Sequence, residues 1–135
     1  EAYMGWAQLM KGNTLFKMEK YEEAEDAYNM IMGVPEWRGP IFAQAMYGMG
    51  RCRVATGDLA TAHSFFQRTY LLFKSYAEGE WAAKGYLAAA DTLMKLGRTD
   101  EAVNTLQAML EDEYTNRHPL AEKVREQLRN YRSQS

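Results

Sequence analysis

The sequence predicts an all-α protein in which one helical hairpin is used three times and a further helix closes the end. Two observations carry this. Ala, Leu, Met, Glu, Lys and Gln recur throughout, proline stands only at Pro35, Pro40 and Pro119, and no stretch alternates cleanly at period two. In addition, "MEKYEEAEDAYNMIM", "ATGDLATAHSFFQRTY" and "KLGRTDEAVNTLQAML" align on Ala24, Ala62 and Ala102, in steps of 38 and 40 residues.

The first unit, about 5–35, has a small residue in its first helix (Gly12), then Ala24 and Tyr28 in its second, and ends at Pro35. The second, about 43–75, repeats this with Gly50, Ala62 and Phe66, and the third, about 83–113, with Ala90, Ala102 and Leu106. Small residues let the two helices approach, and Tyr28, Phe66 and Leu106 fill the volume beyond them. Tyr21, Leu59 and Thr99, three residues before each anchor alanine, are expected to plug the start of the second helix. Gly57 and Gly97 supply the positive φ of a tight helix exit, where the first unit has Glu19 instead. The extra residues between units are read as a proline-broken linker, "GVPEWRGP" (33–40), and as a lengthened second helix, "LFKSYAEGE" (72–80). Pro119 opens a last helix, about 118–132, with Leu120, Val124 and Leu128 on one stripe; a solenoid end requires such a cap.

Composition sets bounds on function. One domain spanning 1–135 is expected at this length. Hydrophobic residues at 47% and charged ones at 25% are enough to bury a core. A net charge of −2 gives no reason to seek nucleic acid or anionic lipid. Cys52 is the single cysteine, so no disulfide framework or thiolate cluster exists within the chain. No apolar run suits a bilayer crossing, so direct membrane insertion is not expected. Glu1 is not an initiator, and the chain reads as a piece of something longer.

The three concordant units resemble tetratricopeptide repeats, with a small residue in helix A, a glycine turn, and an alanine and a large side chain in helix B. The resemblance implies a right-handed α-α superhelix that binds protein. The longer steps are similar to those of bacterial envelope members, the outer-membrane barrel-assembly lipoprotein and the Tol-associated division coordinator, which favours periplasm or cell envelope. It also implies a concave surface from helix-A positions: Trp6, Leu9, Asn13, Phe16 and Lys17; Gln44, Tyr47, Arg51, Val54 and Ala55; Lys84, Leu87, Asp91, Met94 and Lys95. Trp6, Phe16 and Tyr47 would anchor side chains, Asn13 a backbone, and Arg51, Lys84 and Lys95 carboxylates. The bland alternative packs several of these against the next repeat. The two-carboxylate clamp for chaperone C-termini is not expected: Asn13 and Lys84 match it, but Leu9, Gly48 and Ala88 stand where Lys, Asn and Arg belong.

Other candidates read as structure. Glu22, Glu23, Glu25 and Asp26 crowd one helix start, where acids complement the macrodipole, and no histidine is near to complete a metal set. Met30 and Met32 are expected to fill core, Cys52 to be a buried thiol, and His63 and His118 to be surface or capping residues. Trp37 and Trp81 either close the repeat junctions or form an exposed patch. No phosphate loop, nucleophile elbow or HExxH pair occurs, so no catalytic residue, metal or cofactor is expected. The function expected is a non-catalytic scaffold that binds a peptide or protein segment in the helix-A groove. The alternative is self-association into a homo-oligomer.

Overall fold

The computed structural model describes residues 2–134. Among these are seven helices: α1 (Ala2–Lys17), α2 (Tyr21–Met32), α3 (Pro40–Ala55), α4 (Leu59–Leu72), α5 (Glu80–Lys95), α6 (Thr99–Glu111) and α7 (Leu120–Gln134). Two 3-10 turns, Pro35–Trp37 and Tyr76–Gly79, join the hairpins. The pairs α1–α2, α3–α4 and α5–α6 stack in chain order as an α-α superhelix, and α7 packs on α6 and α5.

Within each hairpin the turn has one chemistry. Lys20, Asp58 and Arg98 donate their backbone N–H to the carbonyls of Leu15, Arg53 and Leu93, all at 2.9 Å. This i→i−5 bond needs a left-handed residue just before it. Gly57 and Gly97 adopt φ of 85° and 77°, and Glu19 is held at 62° in the same place. Asp58 also caps α4, accepting from the Thr61 N–H at 3.3 Å.

The small helix-A residues make room for rings more than for helix B alanines. A Cβ at Gly12 would lie 2.6 Å from the Tyr28 ring, and one at Gly50 would lie 2.5 Å from that of Phe66. A Cβ at Gly48 would lie 2.6 Å from the other edge of the same Tyr28 ring, so one ring locks α1 and α3 together. Two core clusters result, one around Tyr28, Ile31, Ile41 and Phe73, the other around Phe66, Tyr86, Leu106 and Val124. Within the second, Tyr70 and Tyr86 stack with centroids 3.9 Å apart.

Four local expectations are corrected. The 72–80 segment does not lengthen the second helix: α4 stops at Leu72, and Ala77 and Glu78 turn left-handed at φ 52° and 55°. A tertiary contact accompanies the break: the backbone passes the Tyr114 carbonyl at Gly79, where any Cβ would collide. Thr99 plugs nothing, because it is exposed, whereas Tyr21 packs edge-on against Phe16 at 5.2 Å. Met30 fills no core; it is 57% exposed on the outer side of α2. The last helix begins at Leu120, two residues later than expected.

Candidate functional site

A cleft of about 440 Å³ opens along the first helices of the three hairpins. From α1 it takes Met10, Asn13, Thr14, Phe16 and Lys17, from α3 Gln44, Tyr47, Gly48 and Arg51, and from α5 Trp81 and Lys84, with Tyr28 beneath. The spacing explains the set. Met10, Asn13 and Lys17 follow one helical stripe, as do Gln44, Tyr47 and Arg51, and Trp81 and Lys84 share a face of α5.

Tyr47 and Trp81 form an adjoining aromatic pair on this surface. Tyr47 lies between Phe66 below it, at 5.5 Å, and Trp81 beside it, at 5.7 Å. Two cations sit over rings: the Arg51 guanidinium carbon is 4.1 Å from the Phe16 centroid, and Lys84 Nζ is 4.3 Å from that of Trp81. Tyr28 Oη donates to Asn13 Oδ1 at 2.7 Å, which leaves the Asn13 NH2 free to donate into the cleft. Burial pushes the Tyr28 phenol up to about 12, so it stays a donor across neutral pH.

Of the residues expected on this surface, Asn13, Phe16, Lys17, Gln44, Tyr47, Arg51 and Lys84 converge. Leu9 does not: it is 2% exposed and belongs to the core around Tyr28. Trp6 is exposed one turn before Met10, outside the cleft, and Leu87 is half-buried against the second core. Asp91 and Lys95 pair with each other at 3.2 Å on the far end of α5. Val54 and Met94 also pack on the second core, and Ala55 is exposed away from the cleft. At the would-be clamp positions Leu9 is buried and Gly48 is filled by the Tyr28 ring. Sequence reasoning missed Met10, Thr14 and Trp81. Trp81 could have been found by continuing the Lys84 stripe back three residues, to a position read as closing a repeat junction or forming an exposed patch.

The remaining candidates are structural in their geometry. Glu25 accepts two hydrogen bonds from Arg53, at 2.6 and 2.8 Å, and Arg53 also donates to Asp58 at 2.8 Å, which ties α2, α3 and the following turn. Glu22, Glu23 and Asp26 are exposed around the α2 start, and among the described residues no group of three His, Cys, Asp or Glu converges to hold a metal. His118 Nδ1 accepts the Leu120 N–H at 3.1 Å, capping α7, while Nε2 meets Glu80 at 2.6 Å. That histidine side chain is only 11% exposed, so it caps without being a surface residue. His63 is half-buried on α4. Trp37 closes a junction, lying over Gly5, whereas Trp81 is a cleft residue.

The hairpins, their glycine turns and the cleft together form a repeat architecture, and a tetratricopeptide repeat family model matches residues 9–79. The chain belongs to the tetratricopeptide repeat family. A second tetratricopeptide repeat model matches residues 83–111, the third hairpin. No curated protein sequence matches the chain. Among solved structures it is similar in fold to the Yersinia enterocolitica type III secretion translocator chaperone SycD, with a TM-score of 0.74 and 18% identity over 96% of this chain and 91% of that one. As a tetratricopeptide repeat protein the chain is a helical scaffold for protein–protein interaction, and no helix among the described residues is long and apolar enough to cross a membrane.

Proposed function

We propose that this tetratricopeptide repeat protein is a non-catalytic scaffold that holds a peptide or protein segment in the cleft formed by α1, α3 and α5. The observation that supports it is the run of Phe16, Tyr47 and Trp81 beside unopposed donors: aromatic faces supply contact area at low entropic cost, and donors fix a backbone. SycD, a translocator chaperone by name, agrees with a protein partner. The test is the double variant Phe16→Ala with Tyr47→Ala, checked for unchanged helical circular dichroism. Proteins that co-purify with the wild-type chain should be lost; their retention would sink the cleft as partner site.

A second reading, self-association, is favoured by a different observation. Ile41 and Gly48 of α3 lie against Gly5 and Tyr28 of the preceding hairpin. One repeat step back, Tyr3 and Met10 of α1 are 82% and 59% exposed. A second copy would cover this apolar face. A single species of monomer mass from micromolar to millimolar concentration would dismiss that reading. A bacterial envelope location is proposed on the repeat steps alone, and fractionation of cells that make the parent protein tests it.

A further inference from the structure

Resting on the cleft reading above, we propose that the segment held there is acidic: an extended stretch of another protein with carboxylates on both sides of an apolar side chain. Three cations, Lys17, Arg51 and Lys84, line the cleft and no carboxylate does. Lys84 is offset by Glu80 at 3.2 Å, but among the described residues neither Lys17 nor Arg51 forms an ion pair. The Arg51 guanidinium sits over the Phe16 ring, 4.1 Å from its centroid, and a planar guanidinium can meet a carboxylate through two parallel N–H bonds. Asn13 adds a further donor, since Tyr28 already occupies its oxygen. The charged groups that line this surface are all cations, while Thr14, Gln44 and Tyr47 can donate or accept, so the charge that matches the surface must come from the occupant.

Between these donors lie Tyr47 and Trp81, whose faces suit an apolar side chain. Phosphates are acceptors too, and bases would stack on the same rings. Nucleic acid fits less well: backbone tracking needs a basic stripe, and here only three cations stand in a chain of net charge −2. Acidic protein segments need no more than two or three such contacts.

The experiment uses the whole chain and three probes: a blocked heptapeptide Gly-Glu-Glu-Phe-Glu-Glu-Gly, its Gln-for-Glu counterpart, and an oligothymidylate of similar length. Binding is followed by the NMR signals of the Trp81 indole and the Asn13 and Gln44 side-chain amides. The acidic peptide is expected to shift these signals with an affinity at least about tenfold above that of the glutamine peptide, and to weaken as salt rises. Lys17→Gln with Arg51→Gln should abolish the preference while the helical spectrum is kept. Equal affinity of the two peptides at the same signals would overturn the acidic occupant and leave the cleft standing. Shifts confined to residues outside the cleft would count against both. Tighter binding by the oligothymidylate would overturn the proposal in favour of nucleic acid.

Discussion

Tyr28 donates its hydroxyl to Asn13 Oδ1 at 2.7 Å while its ring is clamped between Gly12 and Gly48, so one side chain of α2 both locks the first two hairpins and aims a cleft residue. Tyr28→Phe should keep the packing and cost about 1 kcal/mol, the net worth of one hydrogen bond. Its sharper effect is functional. Asn13 would be free to rotate, and the affinity for any segment held by its amide should fall although Tyr28 is not on the open surface. Denaturant unfolding and a binding titration on the same variant separate the two effects.

Gly48→Ala tests the clamp itself. Its Cβ would lie 2.6 Å from ring carbons held on the far side by Gly12, and overpacking of this kind costs roughly 1–3 kcal/mol. Gly57→Ala meets no atom within 4 Å, so its cost comes only from φ 85° and should be about 1 kcal/mol. Urea midpoints that rank Gly57→Ala as the more damaging would refute the clamp.

Glu19 occupies the left-handed turn position that glycine holds in the other two hairpins, at φ 62°. Replacing it with glycine relieves a steric cost of about 1–2 kcal/mol and adds some chain entropy to the unfolded state. Glu19→Gly should therefore stabilise the protein by roughly 0.5–1 kcal/mol. A thermal midpoint that falls instead would show that the Glu19 side chain contributes something its exposure does not suggest.

Much of the fold was legible because each hairpin repeats the same local devices. The glycine turns, anchor alanines and inward rings recur at fixed offsets, so three weak signals reinforced one another. What failed depended on contacts distant in sequence. "LFKSYAEGE" has mostly ordinary helix formers, and the left-handed Ala77 and Glu78 and the close Tyr114 carbonyl at Gly79 appear only in the folded structure. The cleft was found where its residues fall on the repeat pattern, as with Asn13, Tyr47 and Arg51. Leu9 was misplaced because α1 turns that position inward and offers Met10 instead, a rotation set by how α1 seats on α2 and α3.

Asp112 gives the stability a defined acid limit. Burial would raise its pKa, but the Tyr114 N–H, the Tyr86 hydroxyl at 2.8 Å and Lys74 at 3.3 Å outweigh that and hold it below the usual range. A carboxylate with a lowered folded pKa contributes stability above its unfolded pKa and loses it as pH falls through the folded one. Asp112→Asn should thus be less stable than wild type at neutral pH, with the difference shrinking as pH falls below the unfolded carboxylate pKa of about 4 and on through the lowered folded one. A constant difference across that range would remove Asp112 from the acid response.

Cys52 is 1% exposed, and burial, with the nearby Glu25 charge adding to it, pushes its thiol up to about 11. In the native protein at pH 8 it should label with a thiol reagent no faster than the hairpins open, and the rate should rise steeply with urea. Labelling as fast as a free thiol without denaturant would contradict its place in the core.

The most direct measurement of the cleft's role is site-specific photocrosslinking in cells that make the parent protein. A photoreactive residue is placed in turn at Gln44 on the cleft and at Met30 on the outer side of α2. Adducts with another protein should form from position 44 and be absent from position 30. Adducts that form from position 30 and not from position 44 would contradict a partner in the cleft.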